Sequence, residues 1–179
     1  YVNWAHLQPE LMIVEFLEDD NNPVAPGEAG EVTITTLGVT GMPLVRFKTG
    51  DVVYHYDEPC RCGRNTVRVS SVVGRKKQMI KFKGTTLYPP ALFDILDNIP
   101  DVKNYVVEVF TNELGTDDVL VRVGTLTPGE RFEKEIKDIF RAKVRVAPGV
   151  IFDTPENVSK IMFPPMSRKP VKFIDKRSH

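Results

Sequence analysis

The sequence predicts an α+β protein in two parts: a small β-barrel-like subdomain over residues 1–73, and a ferredoxin-like β-α-β-β-α-β domain over residues 74–179. Two observations support this fold class. Before residue 74, short stretches of alternating apolar and polar side chains are separated by glycine and proline turns, which is typical of strands. After it, two stretches with the spacing of amphipathic helices lie among further strands.

In the first part, each strand is predicted from its own pattern. Residues 12–16 form a short apolar run, and the polar, proline-containing stretch 21–28 then predicts a turn. Residues 32–36 alternate valine or isoleucine with threonine, as a half-buried strand does. The remaining strands are predicted over residues 44–47, 52–56 and 66–73. Short strands with frequent turns favour a small barrel or sandwich.

The second part begins with a predicted strand over residues 79–82. Pro89 and Pro90 then open a helix, because proline is tolerated in a first helical turn. Strands over residues 105–110 and 119–123 follow this helix. The apolar face of the helix consists of Leu92, Ile95, Leu96 and Ile99.

A second helix is predicted from a capping box, in which Thr127 is the N-cap and Glu130 lies three residues later. A last strand over residues 150–152 completes the β-α-β-β-α-β order. The buried stripe of this second helix consists of Phe132, Ile136, Ile139 and Phe140.

Composition and charge limit the classes of protein. The chain has 179 residues, no net charge and no apolar run near the roughly 20 residues that cross a bilayer, so we expect no membrane partner. It begins with Tyr1, and we expect it to be a piece of a longer protein. Residues 46–84 and the segment after Lys160 are basic, which fits a phosphate-bearing ligand and is equally typical of solvated strand faces.

The first candidate motif, RFKTGD, spans residues 46–51. The Asp51 carboxylate can accept two hydrogen bonds from the vicinal hydroxyls of a ribose. Gly50 permits the tight turn that directs this side chain outward. A hairpin turn without any ligand explains the same residues.

The second candidate motif, GRKKQMIKFKG, spans residues 74–84. Arg75 could reach a nucleotide phosphate or ribose, and Gly84 allows either a close backbone approach to a ligand or a bend in a hairpin. Lys81 and Lys83 lie on the same face of the predicted strand. Lysines in this position are also typical of an edge strand, where they protect against aggregation.

Two thiols, Cys60 and Cys62, form a third candidate site. The single residue between them disfavours a disulfide, and we expect a reducing, cytoplasmic location. Thiolates bind zinc tightly, but a structural zinc site needs four ligands and this pair supplies two.

Ordered segments of the chain together resemble the C-terminal part of the AMP-forming acyl-CoA synthetases of the phenylacetate-CoA ligase type. The similarity extends from about residue 6 to residue 177. The segments that carry it are residues 27–37 (GEAGEVTITTL), 46–51 (RFKTGD), 60–64 (CRCGR), 74–84 (GRKKQMIKFKG) and 167–177 (SRKPVKFIDKR).

This resemblance implies an enzyme that joins a carboxylic acid, expected to be an aryl acid, to coenzyme A. The carboxylate would attack the α-phosphate of Mg-ATP to give an acyl-adenylate and pyrophosphate, and the CoA thiol would then displace AMP. Residues 1–73 would belong to a large adenylation domain, whose remaining N-terminal part would be a partner. Residues 74–179 would form a mobile C-terminal lid with one pose for each half-reaction.

The resemblance also implies roles for single residues. Asp51 would hold the ribose hydroxyls, and Lys77 would be the hinge, whose backbone rotates between the poses. Gly84 would lie in the loop that enters the site for thioester formation. Lys169 would be the catalytic lysine, carried on a flexible tail, which bridges the carboxylate, ribose and phosphate oxygens during adenylation.

Four positions depart from the family pattern. Phe47-Lys48 replaces the usual Tyr-Arg, and a lysine replaces the usual aspartate at the hinge. Arg168 precedes Lys169 where the family has glycine, which leaves Lys172 as the alternative catalytic lysine. The residues that follow, 174–177, favour Lys169.

The resemblance adds His6 as a third zinc ligand beside Cys60 and Cys62, because His6 matches a histidine of the family. A fourth ligand would then precede Tyr1. A purely structural module with a zinc knuckle is therefore one alternative function for this chain.

Another alternative is a non-catalytic module that binds phosphate ligands or RNA through basic hairpins. RNA recognition needs exposed aromatic rings among the basic residues. Within residues 74–84 only Phe82 qualifies, and strand alternation puts it on the face opposite Lys81 and Lys83. We therefore expect no nucleic-acid partner. The chain contains neither a phosphate-binding loop nor an acid-binding pocket sequence, so we expect it not to form acyl-adenylate by itself.

Overall fold

The computed structural model describes residues 4–177. They divide into two compact units, the first ending at Lys77 and the second beginning at Gln78. The chain is α+β, as predicted, with twelve strands and three α-helices among the described residues. None of these helices has the length and apolar character needed to cross a bilayer.

The first unit is built on one antiparallel sheet with the order β1-β5-β4-β3-β2, and β6 pairs with β4 beside this path. Among the described residues the sheet is open, so the predicted barrel-like closure is wrong. The two end strands of the path, β1 and β2, do not pair with each other. The strands are β1 (Ala5–His6), β2 (Met12–Leu17), β3 (Ala29–Thr36), β4 (Phe47–Tyr56), β5 (Arg68–Val69) and β6 (Gly74–Arg75).

One strand of this sheet contains an irregularity that the sequence did not predict. The stretches 44–47 and 52–56 were expected as separate strands, but Phe47–Tyr56 is continuous. Glu31 pairs with Val52 and Thr33 with Lys48, so residues 49–51 lie opposite a single residue in a β-bulge. Gly50 adopts a φ of 77°, which lets the strand continue through the bulge instead of ending in a turn.

The second unit begins with a hairpin of β7 (Ile80–Phe82) and β8 (Thr85–Leu87), followed by α1 (Pro89–Asp97). A separate four-stranded sheet has the order β11-β10-β9-β12. Its central pair is antiparallel, whereas β11 and β12 run parallel to their neighbours. The remaining elements are β9 (Asn104–Thr111), β10 (Asp117–Gly124), α2 (Glu130–Val144), β11 (Gly149–Asp153), α3 (Pro155–Met162) and β12 (Phe173–Asp175).

This pairing differs from the predicted ferredoxin-like sheet. The first predicted strand, residues 79–82, pairs only with β8 and stays outside the four-stranded sheet. The outer edge of β9 pairs with an additional strand, β12, from the segment that was expected to be a flexible tail. Local patterns predicted β7, β9, β10 and β11 but neither β8 nor β12, and the choice of partner strand depends on contacts between distant residues.

The starts of the three α-helices show which local signals in the sequence predict a helix correctly and which do not. Proline opens α1 as predicted. The predicted N-cap Thr127 is wrong, because α2 begins at Glu130 with Gly129 as its N-cap. The Thr127 hydroxyl lies 3.4 Å from that of Thr125, so it does not cap the helix. Helix α3 was not predicted from the sequence, although Thr154 is its N-cap and accepts a hydrogen bond from the Asn157 N–H (3.3 Å).

The core of the second unit lies on both faces of the four-stranded sheet. One face packs against α1 and α2, whose buried side chains include Leu92, Ile95, Ile136 and Phe140, as predicted. The other face packs against α3, where Val106 contacts Val158 and Met162. Both edge strands of the sheet, β11 and β12, contribute side chains to this packing.

Candidate nucleotide and hinge site

Asp51 is presented at the bulge of β4, directly opposite Arg75 of β6. The Arg75 Nε lies 3.2 Å from the Asp51 Oδ1, and the aspartate side chain is about one-third exposed (32%). Thr49 fixes the backbone here, because its hydroxyl donates to the Val32 carbonyl (3.0 Å) and accepts from the Asp51 N–H (3.1 Å). The result is a partly exposed, oriented carboxylate, a group that can accept hydrogen bonds from hydroxyl donors.

Lys76 is tied firmly to the first unit. Its Nζ lies 2.8 Å from both the Asp19 Oδ1 and the Glu31 Oε2, and Glu31 itself is buried. Burial alone would lower the pKa of Lys76, but the hydrogen bonds to Asp19 and Glu31 outweigh it and raise that pKa. No local pattern in the sequence marks Lys76, because its partners Asp19 and Glu31 lie tens of residues away along the chain.

Lys77, the predicted hinge, is exposed in a single 3-10 turn, Lys76–Gln78, and is the last residue of the first unit. Beyond it, the Met79 carbonyl accepts a hydrogen bond from the Arg177 Nη1 (2.8 Å), and Arg177 also contacts Asp117 (3.1 Å). Residues on each side of Lys77 are therefore anchored within their own unit.

Gly84 lies with Lys83 in the two-residue turn of the β7–β8 hairpin. Both residues have positive φ, 48° for Lys83 and 79° for Gly84, as a type I′ hairpin turn requires. The Lys83 Nζ lies 4.7 Å from the centroid of the Phe82 ring, and Phe82 is buried. A buried ring cannot stack on a base, which disfavours the RNA-binding alternative.

Lys169 is exposed on the loop between α3 and β12. The loop is closed at its base by a hydrogen bond from the Val171 N–H to the Met162 carbonyl (2.7 Å). The Ser167 hydroxyl donates to the Lys169 carbonyl (2.6 Å), which orders the backbone beside the lysine. Within residues 4–177 no ion pair involves the Lys169 ammonium, so it is open to a ligand.

Lys172, the alternative catalytic lysine, is instead held inside the second unit. Its Nζ lies 3.0 Å from the Asp97 Oδ1 and 2.9 Å from the Tyr105 hydroxyl, and 4.6 Å from the Tyr105 ring centroid. Burial first, and then Asp97, raise the pKa of Tyr105 far above its ordinary value. These contacts make Lys172 an anchor of the C-terminal segment, which supports Lys169 as the lysine free to reach a substrate.

The three predicted zinc ligands lie together in the first unit. The ligand atoms of His6, Cys60 and Cys62 are all within 4.8 Å of one another, and the His6 Nε2 lies 3.3 Å from the Cys62 Sγ. The backbone N–H of Cys62, and next the His6 ring, lower the pKa of the Cys60 thiol to about 7. His6 Nδ1 contacts Thr66 (3.0 Å), which orients the ring toward the thiols.

This donor set fits three positions of a tetrahedral zinc site. By contrast, the described residues contain no carboxylate cluster that could hold Mg²⁺. The predicted residues fall in both units. The first contains Asp51, Arg75, Lys77 and the three zinc ligands, whereas the second contains Gly84 and Lys169.

A comparison with protein-family models finds no match. Among curated proteins, the chain is 30% identical over 125 residues to the phenylacetate-coenzyme A ligase of Thermus thermophilus, which covers 69% of this chain and 28% of the relative. It is 31% identical over 87 residues to the Escherichia coli enzyme of the same name, covering 49% of this chain and 18% of the relative.

The chain belongs to the phenylacetate-CoA ligase-like adenylate-forming family. It spans about a quarter of the length of the Thermus relative. This phenylacetate-CoA ligase-like chain also has the fold of a 2-hydroxyisobutyryl-CoA ligase solved in the postadenylation state with an acyl-adenylate. That match has a TM-score of 0.72 and 22% identity, and covers 93% of this chain and 36% of the other.

The same ligase, in an open conformation with an acyl-adenylate and CoA, matches with a TM-score of 0.62 and 20% identity. This match covers 93% of the phenylacetate-CoA ligase-like chain and 37% of the other. Identities this low compare the folds alone, and both matches support the same fold.

Proposed function

We propose that this chain is the nucleotide-binding and lid-bearing part of an AMP-forming ligase that joins an aryl acid to coenzyme A. The observation that carries the proposal is the Asp51 carboxylate, which is oriented at the β4 bulge beside Arg75, and Arg75 in turn lies close in sequence to the last residue of the first unit, Lys77. The family relationship supports the same reaction.

The proposed reaction has two steps. In the first, a carboxylate oxygen of the acid bonds to the α-phosphorus of ATP, the bond to the pyrophosphate oxygen breaks, and pyrophosphate leaves. In the second, the CoA sulfur bonds to the acyl carbon, the bond to the AMP oxygen breaks, and AMP leaves with its electron pair. Mg²⁺ would accompany ATP and reduce its negative charge.

Each residue has a separate task in this proposal. Asp51 accepts hydrogen bonds from the two ribose hydroxyls, and Arg75 holds Asp51 in place and lies beside the nucleotide. Lys169 places its positive charge near the carboxylate and the α-phosphate as negative charge develops during adenylation. Gly84 allows the hairpin that approaches the site for the second step, and Lys77 is the joint between the units.

The decisive experiment measures the two half-reactions separately in the complete enzyme that contains this chain. Lys169→Ala should slow ATP–pyrophosphate exchange by about 100-fold or more, because one stabilising contact to developing charge is lost. Thioester formation from supplied acyl-adenylate should be spared. Lys160→Ala, another exposed lysine of the same unit, should leave both rates unchanged. Equal loss of both half-reactions in Lys169→Ala would contradict the assigned role.

We also propose that His6, Cys60 and Cys62 hold a structural zinc ion, with a fourth ligand from outside the described residues. Zinc would tie β1 to the loop before β5. Metal analysis of the purified protein should find zinc, and Cys62→Ser should lose it. Thr66→Val should weaken zinc binding less than Cys62→Ser does, because the backbone carbonyl of residue 66 (3.1 Å) still holds the His6 Nδ1 when the hydroxyl is lost. Arg64→Ala, an exposed neighbour in the same loop, should bind zinc normally. Zinc content that is equal in Cys62→Ser and the unmodified chain would exclude this site.

A further inference from the structure

Glu31 is a buried carboxylate with no role in the reaction described so far. It lies in β3 with its side chain 7% exposed, and it pairs across the sheet with Leu17 on one side and Val52 on the other. An ionised carboxylate that is removed from water needs cationic partners, because burying it unpaired is costly. The partners of Glu31 are therefore held in position relative to β3.

The two cationic partners of Glu31 come from the two basic motifs of the sequence. Lys48 belongs to RFKTGD, and Lys76 belongs to GRKKQMIKFKG. The Glu31 Oε2 lies 2.8 Å from the Lys76 Nζ and 3.7 Å from the Lys48 Nζ. Lys76 also contacts the Asp19 Oδ1 (2.8 Å), but that carboxylate is largely exposed. One buried oxygen atom thus joins the two motifs within the first unit.

These two lysines flank the residues that are proposed to hold the nucleotide. Lys48 directly precedes the bulge over residues 49–51, which presents Asp51. Lys76 directly follows Arg75, the last residue of β6. A strand of two residues makes few ladder hydrogen bonds, so β6 needs further contacts to keep its place beside β4. The hydrogen bond between Lys76 and Glu31 is such a contact.

The ion pair between Asp51 and Arg75 is too exposed to fix its own geometry. Its two atoms are 3.2 Å apart, but the Arg75 side chain is 69% exposed, and exposed pairs of this kind contribute little free energy. The charge of the buried Glu31 is screened much less by solvent. The Glu31 contacts are therefore better placed than the exposed ion pair to fix Asp51 relative to Arg75.

We propose that Glu31 is a positioning residue for the ribose contact of Asp51 and acts through Lys48 and Lys76, an inference that rests on the proposed function. Lys48 fixes the strand before the bulge, and Lys76 fixes the end of β6 opposite Asp51. The Asp51 carboxylate is then held where the ribose hydroxyls can donate to it. Without the charge of Glu31, Asp51 and Arg75 remain, but their spacing is no longer fixed.

A nucleotide that lacks one ribose hydroxyl tests this proposal in the complete enzyme that contains this chain. The kcat/KM for pyrophosphate exchange is measured with ATP and with 2′-deoxy-ATP, and the ratio of the two values reports the hydroxyl contact. Glu31→Gln keeps the size of the side chain and removes its charge. It should lower this ratio by about five- to ten-fold, with most of the change in the KM for ATP.

The ratio separates positioning from a loss of stability. A variant that is only less stable contains less active enzyme, which reduces both kcat/KM values together and leaves their ratio unchanged. Glu28→Gln makes the same chemical change at an exposed position three residues earlier, and should also leave the ratio unchanged. Lys76→Met removes a partly exposed partner of Glu31 and should lower the ratio, so it decides the matter if Glu31→Gln does not fold.

Asp51→Ala distinguishes this inference from the proposed function. It removes the carboxylate itself and should abolish the preference for ATP over 2′-deoxy-ATP. A lower ratio in Asp51→Ala, with an unchanged ratio in Glu31→Gln and Lys76→Met, would overturn the role of Glu31 alone. A ratio that is unchanged in all three variants would contradict the ribose contact of Asp51, and with it both the proposed function of Asp51 and the inference about Glu31.

Discussion

Lys169 and Lys172 lie three positions apart but have different surroundings. We therefore expect their substitution to have different effects on the stability of the second unit. Lys172→Met should lower the free energy of unfolding of the second unit by about 1 kcal/mol, because a hydrogen bond to the buried Tyr105 and a half-exposed ion pair with Asp97 are lost. Lys169→Met should change it by less than about 0.5 kcal/mol. Far-UV circular dichroism in urea measures this, since all three α-helices lie in the second unit. Equal destabilisation by both substitutions would contradict the role of Lys172 as an anchor of the C-terminal segment.

His55 makes the stability of the first unit depend on pH. It is buried against Phe16, with ring centroids 4.3 Å apart, and this burial lowers its pKa, opposed in part by Asp57. The unfolded chain therefore binds more protons than the folded one below the ordinary histidine pKa of about 6.5. The stabilisation is complete above that pH, and is lost as the pH falls through the lowered pKa of the folded state.

The fluorescence of Trp4, which packs against Tyr56 in the first unit, can follow this transition. The urea midpoint should fall between about pH 7.5 and about pH 5.5. His55→Phe keeps a ring beside Phe16 without the titrating group, and should reduce that fall. An identical fall in both proteins would assign the pH dependence to other groups.

At the level of single residues, the structure brings together some of the residues that the motifs singled out. Asp51 and Arg75 do lie together, and so do His6, Cys60 and Cys62. What local patterns could not predict were side chains defined by distant partners, such as Lys76 with Glu31 or Lys172 with Tyr105. Their catalytic and metal-binding roles remain predictions.

Among the elements, the β7–β8 hairpin depends on its turn. Gly84→Ala should destabilise the second unit by about 1–2 kcal/mol, because a Cβ is disfavoured at a φ of 79° although there is space for it. Gly41→Ala is the matched control, since that glycine has open space and an ordinary φ. Urea unfolding measures both, followed by circular dichroism for Gly84→Ala in the second unit and by the fluorescence of Trp4 for Gly41→Ala in the first. A neutral Gly84→Ala would show that the hairpin turn tolerates a side chain.

The sequence predicts where helices and strands lie better than it predicts which strands pair with each other. Apolar spacing identified α1, α2, β9 and β10, because each buries a face whose period is visible in the sequence. The short strand β12 has no such period, and it forms because β9 offers an edge that Phe173–Asp175 can pair with. The sequence predicts a turn at Gly50, where the structure has a β-bulge. A glycine with positive φ occurs in both structures, so the residue type does not distinguish them.

For the whole molecule, the position of Lys77 at the unit boundary predicts a backbone role. In the complete enzyme, Lys77→Ala should leave both half-reactions close to normal, because the exposed side chain is not required. Lys77→Pro should slow one half-reaction at least about ten-fold more than the other, since proline fixes φ near −65°. Rates of pyrophosphate exchange and of thioester formation measure this contrast. Similar losses of both rates in Lys77→Pro would contradict the hinge.

The anchors on the two sides of Lys77 limit how a rotation could occur. Lys76 is bound to Glu31, and the Met79 carbonyl is bound by Arg177, so two residues, Lys77 and Gln78, lie between these anchors. A hinge at these residues would turn the second unit about a short axis instead of bending a long linker. Arg177 belongs to the same C-terminal segment as Lys169, and β12 connects them. Any rotation of the second unit would therefore move Lys169 together with Arg177 and its hydrogen bond to the Met79 carbonyl.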